Sequence, residues 1–395
     1  MTAYPRLRLK PREGRRARAG APWIFSNEVA MDAEAKALAP GALVTVAGDD
    51  GHVLGTGYFN PKSLIAVRLL EPAANAPIDR QFFAEAFARA LTRREALYDA
   101  PFYRLVHAEG DGLPGLSVDR LGDILVVQIT TAGMEAKTDY IIGALEAVCA
   151  PAHIVLRNDT PARALEGLES YVRAAKGEMP ASAPIIENGV HYFADVSGGQ
   201  KTGWYYDQRE HRAFMAALAK GRSVLDVYSY TGGFALAAAR AGAADVIAVD
   251  SSAPALALAE EAAHANGVAA SCQFVKADAF EELERLAAAN ERFDVVIADP
   301  PPFVKAKKDL EPGAKAYRKL ARMAANVTAP GGYLFLASCS HNMPAERFAS
   351  ECAIGLQRAG RRASLIRQGG AGPDHPVHPM LPESAYLKVC VYALD

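Results

Sequence analysis

The sequence predicts an α/β fold whose C-terminal half is a doubly wound, mostly parallel sheet, preceded by a β-rich N-terminal domain and a central α+β domain. Three observations lead there. From Ile185 onward, short apolar segments alternate with stretches of helical length and period, the pattern of strands joined by crossover helices. Before residue 75, short apolar runs are separated by turn residues, as in a small barrel. Two loop-like stretches, residues 71–77 and 177–184, divide the chain into residues 1–75, 76–184 and 185–395.

In the first segment, strands at 43–46 and 53–59 flank the turn Gly48-Asp49-Asp50-Gly51, and Asn60-Pro61 precedes a strand at 65–70. The second segment opens on a helix at 82–98, with Phe83, Ala86, Phe87, Ala90 and Leu91 at helical spacing. Strands at 116–120 and 124–129, a helix at 137–149 and a strand at 153–157 complete it. In the third, strands are expected at 224–227, 245–249, 273–276, 293–298, 333–337 and 386–393. A helix after Ser251 is read from apolar Ala255, Leu256, Leu258, Ala259 and Ala262.

Composition narrows the class. The chain has 395 residues, 50% of them hydrophobic, enough for two or three cores. No apolar run reaches the roughly 20 residues of a membrane helix, and the basic N-terminus lacks the apolar stretch of a secretory signal. Five scattered cysteines without CxxC spacing argue against structural zinc and a disulfide framework, so no metal is expected and a reducing cytoplasm is. Net charge is only −2, yet the cations cluster. Arg6, Arg8, Lys10, Arg12, Arg15, Arg16 and Arg18 lie near the N-terminus. Lys305, Lys307, Lys308, Lys315, Arg318, Lys319 and Arg322 form a second group. Local clusters of this kind are either solvated surface or the footprint of a phosphate-backbone partner, which Arg12, Arg15, Arg16, Lys305 and Lys307 would contact. Trp23 and Phe25, beside the first cluster, are expected in the core of the small domain. The sequence does not set an oligomeric state; a homodimer is compatible with it.

The third segment carries a nucleoside site. Its first strand runs through Asp226-Val227 into Tyr228-Ser229-Tyr230-Thr231-Gly232-Gly233-Phe234, with a helix starting near Ala235. A glycine turn here lets a ligand approach backbone N–H groups at a helix N-terminus. The G-x-G-x-x-G dinucleotide fingerprint is absent. Asp250, 24 residues after Asp226, ends the second strand, where a carboxylate can accept both ribose hydroxyls; Asp278 is expected to end the third, at an adenine edge. Any one acid is an ordinary loop or capping residue. Three in register suit a ribose and a sulfonium cation, and suit a pyrophosphate poorly.

These residues resemble the S-adenosylmethionine motif of class I RNA methyltransferases, as does Gly199-Gln200-Lys201-Thr202-Gly203-Trp204-Tyr205-Tyr206-Asp207-Gln208-Arg209. The chain as a whole resembles the bacterial cytosine-5 methyltransferases of large-subunit ribosomal RNA that carry an N-terminal PUA domain. Further matching stretches are Ala21-Pro22-Trp23-Ile24-Phe25-Ser26, Gly57-Tyr58-Phe59-Asn60-Pro61-Lys62-Ser63, Gly112-Leu113-Pro114-Gly115-Leu116 and Leu381-Pro382-Glu383-Ser384-Ala385-Tyr386-Leu387-Lys388. The resemblance implies a PUA domain at 1–75, a central domain at 76–184 and a Rossmann-like methyltransferase domain at 185–395. It also implies ribosomal RNA as partner and S-adenosylmethionine as cofactor. The cofactor residues are then Gln208, toward the methionine moiety, with Asp226, Tyr228, Ser229, Tyr230, Thr231, Gly232, Phe234, Asp250, Ser251, Asp278, Ala279 and Asp299.

The reacting groups are read from Asp299-Pro300-Pro301-Pro302-Phe303 and Ser338-Cys339-Ser340, each at the end of an apolar strand. If the strands are neighbours, a carboxylate and a thiol share the crevice at the carboxyl ends. Cytosine C5 is a poor nucleophile until a thiolate adds at C6, and Cys339 suits that task. The expected helix start at His341-Asn342-Met343-Pro344 favours a thiolate. Asp299 can bond the N4 and N3 edge of the base. Cys149, Cys272, Cys352 and Cys390 lie in helix- or strand-like stretches and read as structural.

Asp-Pro-Pro with a nearby aromatic also resembles methyltransferases acting on exocyclic amines, which need no thiol; there the aromatic directly follows the second proline, whereas here Pro302 intervenes. The cytosine-5 pattern has a lysine at that position. A nucleotide-dependent oxidoreductase and a non-catalytic RNA-binding protein are the remaining alternatives.

Overall fold

The computed structural model describes residues 3–199 and 202–395. The chain separates into two compact units. One comprises Met1–Ala183, Asp195–Trp204 and Pro373–Pro382; the other comprises Pro184–Ala194, Tyr205–Gly372 and Glu383–Asp395. Among the described residues, no helix is long and apolar enough to cross a membrane.

The first unit contains two five-stranded sheets. In the N-terminal sheet the order is Arg6–Arg8, Ala42–Ala47, Val53–Phe59, Val67–Glu71 and Trp23–Ile24. Leu7, Ile24, Val44, Val46, Phe59 and Val67 fill its core. The strand expected at 65–70 begins at Val67, because Asn60 N–H bonds Ala66 O and keeps the preceding residues in the turn. Arg6–Arg8 and Trp23–Ile24 escape sequence reading, being too short and too charged at their flanks to form an apolar run. Trp23 and Phe25 are half-buried and Ile24 between them is fully buried. Trp23 Nε1 donates to Glu109 Oε1 at 2.9 Å.

The second sheet runs in the order Tyr171–Lys176, His153–Asn158, Ile124–Ile129, Leu116–Leu121 and Phe102–His107. Its one parallel pair, Ile124–Ile129 with His153–Asn158, is joined across the helix Thr138–Cys149. Helix Arg80–Glu95 starts where Asp79 Oδ1 accepts from Gln81 and Phe82 N–H, an N-cap that satisfies otherwise orphaned donors. At its far end the buried Arg94 guanidinium forks onto Asp111 at 2.6 and 2.7 Å.

The second unit is built on a seven-stranded sheet. Its elements are α1 (Arg209–Ala219), β1 (Ser223–Val227), α2 (Gly233–Arg240), β2 (Asp245–Asp250), α3 (Ala253–Ala265), β3 (Cys272–Lys276), α4 (Ala279–Ala288), β4 (Phe293–Ala298), α5 (Leu310–Val327), β5 (Thr328–Ser338), α6 (Ala345–Arg358), β6 (Ala363–Gly369) and β7 (Lys388–Leu394). The strand order is β3-β2-β1-β4-β5-β7-β6. Six strands run in one direction, and β7 runs against them, pairing antiparallel with both β5 and β6. Order reverses at β1, the topological switch point where such sheets bind ligands.

Side-chain alternation explains why these strands read as unbroken apolar runs. Val224, Val295, Ile297, Phe335 and Ala337 face one core, shared with α1 and α2. Leu225, Val296, Ala298, Leu334 and Leu336 face the other, shared with α4, α5 and α6. A parallel sheet covered by helices on both faces requires both alternate sets to be apolar. Helices α5 and α6 pack closely because Gly355 offers no side chain: a Cβ there would lie 2.6 Å from Arg318 O. A hairpin of Ala183–Glu187 and Val190–Ala194 is held to α1 by the buried Glu187–Arg212 pair at 2.6 Å.

Candidate active site

The register of the central strands assembles the site. Val227 of β1 pairs with Ala298 of β4, and Ala298 pairs with Leu336 of β5. The segments leaving β1, β4 and β5 therefore emerge side by side: 228–234, 299–305 and 339–344. Asp299 and Cys339 are half-buried at the ends of adjacent strands.

The loop after β1 is conformationally demanding. Tyr228, Tyr230 and Gly232 all have positive φ, at 64°, 50° and 78°. Two non-glycine residues in the left-handed region within one short loop represent backbone strain of the kind that collects at ligand sites. The loop is held by Ser229 N–H to Val249 O at 3.0 Å and by Tyr230 N–H to Asp250 Oδ2 at 2.9 Å. Asp250 Oδ1 accepts from Ser252 N–H at 2.8 Å, and each oxygen keeps a further lone pair. Phe234 packs its ring on Phe335 at 4.9 Å, in the core beneath the loop. Ser251 is exposed beside Asp250. Strand β3 ends at Lys276, and the exposed Asp278 is the N-cap of α4, its Oδ1 accepting from Phe280 and Glu281 N–H; Ala279 is the first, buried residue of that helix.

Asp226 lies within β1 and is 1% exposed. Its Oδ2 accepts from Ala235 N–H at 3.0 Å, tying the strand to the first turn of α2. Burial pushes its carboxyl well above the usual carboxylate range, and the charges of Asp299 and Asp250 push the same way. Gln208, also buried, donates Nε2–H to Asp299 Oδ2 at 2.9 Å. Around this cluster, Gln208 Oε1, Asp226 Oδ1, Ser229 Oγ and Thr231 Oγ1 are buried polar atoms with no hydrogen-bond partner among the described residues. Native interiors seldom leave four such atoms together unless a ligand completes them. Crowded carboxylates with unfilled hydrogen bonds fit a cationic nucleoside such as S-adenosylmethionine.

Around Cys339 the loops are bolted together by one phenol. Tyr317 of α5 lies within 2.8 Å of both Ser338 Oγ and Ser340 Oγ and accepts from Phe303 N–H at 3.3 Å. Val304 N–H reaches Ser340 Oγ at 3.2 Å, and Asn342 Nδ2 donates to Lys305 O at 3.1 Å. The Asp299 loop and the Cys339 loop thus form one rigid piece. The helix expected after the thiol is α6, capped by Pro344. On the opposite flank, buried Lys388 donates Nζ–H to Ser340 O and Tyr386 O at 2.7 and 2.8 Å. Burial lowers its ammonium to about 8, against the pull of Cys339. Burial also raises the Tyr205 phenol, and the charges of Asp207, Cys339, Asp299 and Asp250 add to that effect.

Tyr317 and Lys388 were invisible as site residues in the sequence: one sits mid-helix and the other at a strand start, far along the chain from Cys339. The other four thiols are all raised by burial. Arg12, Arg15, Arg16, Lys305 and Lys307 are exposed. Arg16 also bonds Met380 O at 3.2 Å, while neighbouring Arg18 is engaged by Asp49 and Asp50.

A doubly wound sheet of this strand order, with a strained loop at its switch point and an acidic, unsatisfied pocket, defines a Rossmann-like, nucleoside-cofactor transferase. Residues 111–355 match the family described as S-adenosylmethionine-dependent methyltransferase, and residues 7–72 match a PUA-like domain. Ribosomal RNA large subunit methyltransferase I of Shewanella amazonensis is 38% identical, covering 97% of this chain and 98% of its own. The protein of the same name from Pseudoalteromonas atlantica is 37% identical over 93% of each chain. A candidate S-adenosylmethionine-dependent methyltransferase solved from Streptococcus mutans superposes with a TM-score of 0.83 at 22% identity, covering 98% of this chain and 100% of that one. A candidate methyltransferase solved in complex with SAH gives 0.84 at 23% identity and the same coverage. The chain belongs to the S-adenosylmethionine-dependent methyltransferase family and carries an N-terminal PUA-like domain.

Two predictions follow from the geometry. The raised carboxyl of Asp226 binds its proton more tightly in the folded than in the unfolded chain. Its contribution to stability is therefore full below its ordinary value of 3.8 and is lost as pH rises. Asp226→Asn should melt higher than the parent in neutral, cofactor-free buffer, by a margin that grows with pH. The same substitution should weaken S-adenosylmethionine binding by about 1.5–3 kcal/mol, roughly ten- to hundredfold by calorimetry. Tyr317→Phe removes the shared hydroxyl and should cost about 1–3 kcal/mol in urea denaturation, with faster alkylation of Cys339. An unchanged alkylation rate would show that Tyr317 does not order the thiol loop.

Proposed function

We propose that this protein is an RNA methyltransferase that forms 5-methylcytosine in large-subunit ribosomal RNA through a covalent adduct at Cys339. The observation that carries this reading is the parallel pairing of β4 with β5, which sets a thiol and a carboxylate at neighbouring strand ends beside the cofactor loop. The relatives' names point to ribosomal RNA as substrate, and a PUA-like domain suits an RNA partner. In this reading residues 1–75 bind RNA, with Arg12, Arg15 and Arg16 on phosphates; residues 76–184 form a central domain; residues 185–395 carry the chemistry in the cytoplasm.

S-adenosylmethionine supplies an electrophilic methyl group on a sulfonium. Gln208, Asp226, Ser229 and Thr231 bind it through their unfilled polar atoms, Asp250 takes the ribose, and the carboxylates favour its positive charge. Cys339 thiolate adds at cytosine C6; the C5–C6 π electrons move onto C5, which becomes nucleophilic. Asp299, steadied by Gln208, bonds the N4 and N3 edge and holds the ring. C5 takes the methyl group and the sulfonium is left as the neutral thioether S-adenosylhomocysteine. A water molecule then takes the C5 proton, whose bonding pair restores the C5–C6 double bond while the C6–S pair leaves with the thiolate. Lys388, charged at neutral pH and sensitive to the charge of Cys339, favours the thiolate.

One residue disfavours the exocyclic-amine alternative. That chemistry stacks the aromatic that directly follows the second proline, and here Pro302 holds that position.

The deciding experiment is Cys339→Ala. It should abolish 5-methylcytosine in ribosomal RNA while retaining cofactor binding. RNA containing 5-fluorocytidine, which cannot lose a proton from C5, should trap the parent protein covalently and leave the variant free. Full methylation by the variant, or N-methylated products from the parent, would sink the covalent reading. Separately, Lys388→Met should raise the pH at which Cys339 is alkylated by on the order of one unit, read peptide by peptide with iodoacetamide and mass spectrometry.

A further inference from the structure

Helix α5 has two faces of opposite character. Gly313, Ala314, Tyr317, Leu320, Ala321 and Ala324 are buried against the sheet and α6. The outer face carries Lys315, Arg318, Lys319 and Arg322, spaced i, i+3, i+4 and i+7. With Arg358 at the end of α6, these five line a cleft of about 650 Å³ that no acidic side chain enters. Like charges at i and i+4 destabilise a helix in isolation, so Lys315 with Lys319 and Arg318 with Arg322 gain their stability from something else. Among the described residues, Arg318 alone of the five has a carboxylate partner: its Nε bonds buried Glu351 at 2.5 Å. Among the described residues, Lys315, Arg322 and Arg358 form no ion pair.

The cleft continues to the reacting loop. Lys319 Nζ lies 4.7 Å from the centroid of Phe280, and Phe280 stacks on Phe303 of the Asp299 loop. Beside Lys315, a shallower apolar depression of about 400 Å³ is formed by Pro301, Pro302, Phe303, Pro312, Gly313 and Ala316, with Lys305 at its rim. An apolar platform leading into a cationic track is the surface that single-stranded nucleic acid requires, one part for a base and the other for phosphates. Pro302 belongs to the platform, so the residue that departs from the resembled motif lines this path.

We propose that the α5–α6 cleft binds the phosphodiester backbone of the RNA strand flanking the target nucleotide, with the adjoining base seated on the Pro301–Phe303 depression. This rests on RNA being the substrate but not on which base atom is methylated. The helix's charge repulsion is relieved by the substrate it holds, and Glu351 orients the Arg318 fork toward phosphate without neutralising the cleft.

The test compares the full-length protein with the triple variant Lys315→Gln, Arg322→Gln, Arg358→Gln, whose side chains make no ion pairs. Affinity for poly(U) is measured across a salt series. Loss of about three phosphate contacts from a single strand should flatten the slope of log affinity against log salt by about 2, with roughly tenfold weaker binding at low salt. The KM for ribosomal RNA should rise in parallel, S-adenosylmethionine affinity should stay at the parental value, and the melting temperature should not fall, since two repulsive pairs are removed. An unchanged salt slope in a variant that melts no lower than the parent overturns the proposal, whatever base the parent methylates. A parent that methylates RNA at nitrogen, together with a flattened slope in the variant, overturns the cytosine-5 reading and leaves the cleft assignment standing. A parent with no salt-dependent affinity for poly(U) overturns the cleft assignment together with the RNA reading.

Discussion

The pairing of β4 with β5 is the contact on which the chemistry depends. Parallel strands in register deliver their carboxyl ends to one edge of the sheet, so Ala298 opposite Leu336 places Asp299 and Cys339 in one crevice. Register alone would leave two mobile loops. Tyr317 removes that freedom by binding both serines around the thiol and the backbone of Phe303 with one hydroxyl group. Because α5 packs its small residues tightly beneath the sheet, the phenol is anchored to the core, and through it the reacting loops are too. The covalent mechanism proposed for Cys339 requires this precision, since catalysis falls steeply when reacting atoms are misplaced by about an ångström.

The cofactor side of the crevice is organised by electrostatic tension. Among the described residues Asp226 is buried with one hydrogen bond, the charges of Asp299 and Asp250 act against its ionisation, and Arg212, which favours it, is committed to Glu187. Such an arrangement is unfavourable in the free protein and becomes favourable when a cation with hydroxyl donors enters. Ligand binding and apo stability are therefore opposed at this residue, a common feature of sites held in readiness for a charged ligand. The positive φ angles of Tyr228 and Tyr230 belong to the same logic, since a strained loop is kept only where its backbone groups have work to do.

Charge on the outside of the second unit has the opposite sign. Acids line the crevice, while cations run along α5. A sulfonium nucleoside and a polyanion can then occupy neighbouring surfaces of one domain without competing, each drawn by its own field. The net charge of −2 conceals this division.

Much of this was legible in the chain itself. The alternation of apolar runs with helical periods announced the doubly wound sheet because every strand is apolar on both faces, a pattern that needs no knowledge of neighbours. Asp226, Asp250, Asp299 and Cys339 were legible because each lies at or just beyond the end of such a run, next to a glycine turn, a helix start or a proline motif. The short strands Arg6–Arg8 and Trp23–Ile24 were not, since two or three residues carry no period. Order along the chain also said nothing about β7 entering antiparallel beside β5, and this alone brings Lys388 to Cys339 across 49 residues. Tyr317 reads as one more aromatic on a helix until packing aims its hydroxyl at three partners. The sequence by itself determined the fold class and set the 228–234 loop and Cys339 beyond strand ends, because those are local patterns of period, turn and strand end. Only the tertiary structure decided which groups surround the thiol, which carboxylate is buried and left short of a hydrogen bond, and which cations line a single cleft. Those are facts of register and packing, which unite residues that the chain keeps far apart.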